Sequence, residues 1–202
     1  MTEETVQEER KPSKARVYTT EGLGNELRQA EILSNVIQPV WNQVTRELEV
    51  IEHPIAIILT QDCDLLWDYE QRTKGLEGKL DSVLMYTCES AHEVKATIGG
   101  RDIWKRIIQN NNERYHLLEA VPESQDLRAQ GLGPLVIDFK RFFTLTPDDL
   151  YSQCNAQTTQ RRCRLEMPYR EHLQCRAAFY FQRVTLPTPH EYVPPEPAIA
   201  PA

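Results

Sequence analysis

The chain predicts an α+β fold that is mainly β: a small curved sheet or barrel, with a helical insertion and a C-terminal helix. Three observations carry this. Ile55–Leu59 and Leu135–Ile137 are apolar runs too short for helices and too uniformly hydrophobic for a sheet edge, so each needs cover on both faces. Several shorter runs, rich in β-branched residues and bounded by turn formers, surround them. Apolar residues at helical spacing recur over 102–110 and again over 168–184.

In chain order, 31–37 and 47–51 predict early strands. Next comes His53-Pro54-Ile55-Ala56-Ile57-Ile58-Leu59, in which the proline blocks a helix and the apolar run reads as a buried strand. Residues 82–88 predict a fourth strand. From Asp102 to Asn110, Ile103, Trp104, Ile107 and Ile108 share a helical face, and Asn110-Asn111-Asn112 ends the helix. A strand starts at Tyr115-His116-Leu117-Leu118. The turn Gly131-Leu132-Gly133-Pro134 leads into Leu135–Phe139, and Thr146-Pro147 marks the start of a short helical turn. In the final helix Tyr169, Leu173, Ala177, Tyr180 and Val184 fall on one face, and Arg170, Arg176 and Arg183 are expected outside it.

The ends differ in composition. Residues 1–15 predict a disordered tail, 16–186 a single globular domain, and 187–202, with six prolines, a second disordered tail. A formal net charge of −7 argues against a wide basic nucleic-acid surface, so phosphate affinity would have to be local. Five cysteines, without paired spacing or a leading signal segment, point to free thiols in a reducing compartment and a cytoplasmic protein. No run reaches the roughly 20 apolar residues of a membrane span, and no membrane partner is expected.

The candidate catalytic residues are Thr60, Gln61, Asp62, Cys63 and Asp64, because the buried strand ends there in strongly polar groups. Two flanking carboxylates oppose a thiolate at Cys63, which makes it a poor nucleophile unless a metal, an arginine or a histidine joins it. Other constellations have weaker support. Cys63 and Cys88 with His53, His92 or His116 lack zinc-like spacing, a Cys63–His116 pair needs a distant contact, and Asp62 and Asp64 with Asp68 or Glu70 offer oxygen ligands for Mg²⁺. No metal or cofactor is predicted. Arg161, Arg162, Arg164, Arg170 and Arg176 form the candidate binding cluster, since guanidinium groups suit phosphate or carboxylate recognition.

The run Thr60-Gln61-Asp62-Cys63-Asp64-Leu65 resembles a strand end of uncharacterised bacterial proteins often met near mobile elements and defence genes. The order of Glu31-Ile32-Leu33, the proline-led strand ending at Thr60, Lys79–Met85, Leu135–Asp138 and a terminal helix is similar to the SH3-like barrel of MazF/PemK-type toxins. That second likeness implies an endoribonuclease with a catalytic residue at Thr60. The residues themselves oppose it, since Asp62 and Asp64 repel an RNA phosphate and Arg46 is the nearest arginine ahead of the strand. The expectation is a binding or regulatory protein of a phage-defence or toxin–antitoxin system, acting through a protein partner, a second copy or local phosphate recognition. The alternatives are the endoribonuclease and a Cys- or metal-dependent hydrolase. An arginine within reach of 60–64 would favour the enzymes.

Overall fold

The computed structural model describes residues 16–182. The predicted tails, together with Arg183 and Val184 of the final helix, lie outside the described residues. The strands are β1 (Tyr18–Thr19), β2 (Glu31–Asn42), β3 (Glu47–Ile58), β4 (Val83–Ser90), β5 (Tyr115–Leu118), β6 (Leu135–Leu145) and β7 (Gln160–Leu165). The helices are α1 (Asp62–Thr73), α2 (Ala91–Thr97), α3 (Arg101–Ile108), α4 (Pro147–Asn155) and α5 (Tyr169–Phe181). All seven strands join one antiparallel sheet in the order β1-β7-β2-β3-β4-β6-β5.

Alternation along the central strands builds two cores. Ile57 joins Ile32, Tyr86, Ile137 and Phe139 under α5, which contributes Leu173 and Ala177. Its neighbours Ala56 and Ile58 join Leu33, Met85 and Phe143 under α1 and α4, which contribute Leu65 and Leu150. The strand that had to be covered on two faces is covered on two faces. At the far end of β6, Val136 packs against Val94 of α2 and Ile107 of α3. Of the apolar face expected on α3, Ile107 is buried, whereas Ile103 and Ile108 remain exposed.

The sheet curls but does not close. The Tyr18 hydroxyl at one edge donates to the Glu119 carbonyl just past the other edge at 2.6 Å. No β1–β5 ladder forms among the described residues, and the two strands stand at opposite ends of the strand order. Of the curved sheet and the barrel, the open curved sheet is therefore the form adopted.

One further local expectation is corrected, and two candidate runs take elements that the sequence did not assign. Residues 47–51 and 55–59 belong to a single strand, kinked where Pro54 stands opposite Asn35; Asn35 has φ +58°, and the ladder omits that pair. The polar residues after Leu59 do not form a turn, since Asp62, Cys63 and Asp64 open α1, where carboxylates suit the positive end of the helix. Arg161, Arg162 and Arg164 lie on a strand, β7, which carries no apolar alternation because ion pairs neutralise its arginines. The start of α4 follows its sequence: Pro147 begins the helix, and the Thr146 hydroxyl accepts the Asp149 N–H at 3.1 Å.

Candidate functional site

β3 runs out of the core at Leu59, and α1 begins three residues later at Asp62. The Asp62 Oδ1 accepts the Gln29 N–H at 2.7 Å, and Oδ2 accepts Arg170 Nη1 at 2.9 Å together with Arg164 Nη2. One carboxylate thus ties the start of α1 to the loop before β2, to β7 and to α5. Arg164 Nε also donates to the Gln29 carbonyl at 3.0 Å, which fixes the guanidinium plane. The structure therefore brings together Asp62 from the candidate catalytic run and Arg164 and Arg170 from the candidate basic cluster. Arg170, expected outside the final helix, is held inward by this ion pair.

The rest of the run has less to work with. The Thr60 hydroxyl accepts the Leu84 N–H at 2.7 Å, locking the end of β3 to β4. Gln61, Cys63 and Asp64 are exposed. The Cys63 sulfur makes only long contacts, 3.6 Å to Gln61 Oε1 and 3.8 Å to Asp64 Oδ1. Thr60, Gln61 and Asp64 line an open groove of about 380 Å³ against Ala178 and Phe181 of α5. His116 is packed between Phe139 and His172, so it does not pair with Cys63. Among the described residues, no three His, Cys, Asp or Glu side chains are placed to hold a metal ion. Asp68, one of the possible magnesium ligands, is buried and engaged by Arg72 Nε at 2.6 Å and by the Lys79 and Leu80 N–H groups.

The other arginines of the basic cluster also meet partners within the chain. Arg161 holds Glu31, whose carboxyl is fully buried and pushed upward in pKa by that burial, with Arg161 opposing the rise. Arg162 clamps Asp126 in a two-pronged bond. Burial raises the Asp126 pKa, but Arg162 and the N–H groups of Arg128 and Gln130 outweigh it and pull the group down to about 2. Arg176 donates to the Tyr115 carbonyl at 2.9 Å and to the Asn112 carbonyl.

A different surface lay outside the sequence reading. β4 pairs with β3 only at Ala56–Ile58, and β7 pairs with β2 only at Glu31–Ser34, so the rest of the β2–β3 hairpin projects as an arm. Directly opposed residues share a face, which sets Trp41 and Leu48 beside Pro39 and Val50. Trp41, Leu48 and Val50 are 57%, 66% and 56% exposed, and Val44 at the tip is 92% exposed. The alternation Glu47-Leu48-Glu49-Val50 signals two unlike faces; a single sequence does not reveal that the apolar one is left uncovered. Where the arm leaves the body, a groove of about 740 Å³ opens between β3 and the β4–β6 pair.

No helix among the described residues is long and apolar enough to cross a membrane. No family model matches the chain, and no curated protein matches it either.

Proposed function

We propose that this chain is a binding protein that works through a protein partner, and that the β2–β3 arm is its contact surface. The reading rests on one observation: the uncovered apolar face of Trp41, Leu48 and Val50, which stands away from both cores. Contiguous exposed apolar groups rimmed by charge mark interaction sites more often than chance surface composition does. In the candidate catalytic run Thr60 and Asp62 are engaged in holding elements together, while the arginines at Asp62 meet the condition set for the enzyme alternatives. A cytoplasmic setting fits the five free thiols, and the likeness of Thr60–Leu65 suggests a bacterial defence or toxin–antitoxin system.

The test is copurification of the tagged full chain from its native host. A stoichiometric partner should be retained by Cys63→Ser and lost from the double variant Trp41→Asp, Leu48→Asp, with melting temperatures alike. A partner indifferent to the arm variant would overturn the reading.

A second reading keeps the enzyme alternatives, and the approach of Arg164 and Arg170 to the start of α1 supports it. It requires those guanidinium groups to turn from Asp62 to a substrate phosphate. Loss of activity in Cys63→Ser or Gln61→Ala, at unchanged stability, would favour it over the arm.

A further inference from the structure

We propose that the free edge of β3 within the arm accepts an extended, cationic segment of the partner as an added β-strand. This rests on the binding reading above and names the chemistry of what is bound. The two edges of the arm differ. On the β2 side, the Gln153 side chain takes both backbone groups of Ile37, accepting its N–H at 2.9 Å and donating to its carbonyl at 2.8 Å. Two residues on, Pro39 has no N–H to offer. That edge is closed to a further strand.

The β3 edge is open. Because the Ile37 backbone groups point away from β3, the antiparallel ladder alternates so that those of Pro39 and Trp41 do the same. Their partners Glu52, Val50 and Leu48 then aim their own N–H and C=O groups outward on the opposite edge. None of the three is a proline. β4 turns away before reaching them, and the groove of about 740 Å³ lies alongside.

The groove sets the sign of the occupant. Its apolar floor includes Ile55, Leu135 and Phe142, and its charged lining is Glu52, Glu89, Glu93 and Arg141. Arg141 is paired with Glu89, which leaves Glu52 and Glu93 in excess. His53, stacked flat on Phe143 at 3.7 Å, is held toward its neutral form by burial and by Arg141. Glu47 and Glu49 extend the acidic character toward the tip. An apolar floor with surplus carboxylates matches a strand that alternates basic and apolar side chains. A second copy would add its own Glu47, Glu49 and Glu52 to the same seam, in a chain of net charge −7. The 183–202 segment has six prolines and only one Lys or Arg, which suits neither the ladder nor the charge.

The experiment uses the full chain and fluorescent eight-residue peptides alternating Val with Lys, Val with Glu, or Val with Lys carrying N-methyl groups on one edge. The Lys peptide should bind at least about tenfold more tightly than either of the others. Val50→Pro in the protein removes an outward N–H without touching the β2–β3 ladder; it should abolish binding and leave the melting temperature unchanged. Glu52→Lys with Glu93→Lys should reverse the preference toward the Glu peptide. Lys-peptide binding that survives both N-methylation and Val50→Pro would overturn strand addition, as would no binding at all. Dimerisation through the arm in gel filtration would replace the cationic segment with a second copy. If the host partner is lost from the Trp41, Leu48 variant but unaffected by Val50→Pro, this inference falls while the arm stands as the contact surface.

Discussion

His116 is 3% exposed, packed against Phe139 and His172, and its Nδ1 meets no hydrogen-bonding group among the described residues. Burial, then the nearby Arg176 and His172, lowers its pKa from 6.5 to about 3. The sign of the pH effect follows. Above pH 6.5 both folded and unfolded forms are neutral and the contribution is whole; between 6.5 and 3 only the unfolded chain takes the proton. Stability therefore falls as pH drops across that window, by about 1.4 kcal/mol per pH unit for one proton. Burial lowers His53 and His172 in the same direction, so the comparison has to be made against a variant. His116→Leu should flatten the slope of urea-derived stability between pH 6 and pH 4.5 by about one proton's worth. An unchanged slope would place the acid sensitivity elsewhere.

Among the elements, α1 is held at its first residue. Asp62 receives bonds from Gln29, Arg164 and Arg170, while Leu65 and Asp68 bury the inner face of the helix. Asp62→Asn keeps the shape but removes the charge that neutralises two partly buried guanidinium groups, and should cost about 2–3 kcal/mol in urea unfolding. Arg170→Gln should cost less, because Arg164 keeps the carboxylate paired. The same residues show what is legible in one sequence. Ile55–Leu59 and Leu135–Ile137 announce central strands because burial on two faces leaves an unbroken apolar run, and Leu173 and Ala177 announce α5 through their spacing. β7 was not legible as a strand, since Gln160-Arg161-Arg162-Cys163-Arg164 is made tolerable in a core by ion pairs to Glu31, Asp126 and Asp62, all remote in sequence. The start of α1 was hidden for the same reason: Asp62 reads as a turn residue until its distant arginines are in place.

For the whole molecule, the question is how much of the chain the two cores require. Their buried members in β2 and β3 stop at Val36 and resume at Ala56, and His53 is the last arm residue packed inward, on Phe143. Every residue from Pro39 to Val50 is exposed or half-buried, so the arm draws little stability from the body and returns little to it. An outward apolar strand pair that stability does not call for is a standing aggregation hazard, offset here by Gln153 and Pro39 on one edge and by glutamates on the other. Replacing residues 39–50 with an Asn-Gly turn joins Gln38 to Ile51, a pair whose hydrogen-bonded register suits a two-residue hairpin. The shortened chain should unfold in a single transition with stability within about 1 kcal/mol of the parent, and should bind neither the Lys–Val peptide nor the host partner. A broad or two-step melt would show that the arm is instead part of the cooperative body, and the uncovered face of Trp41, Leu48 and Val50 would then need a structural explanation.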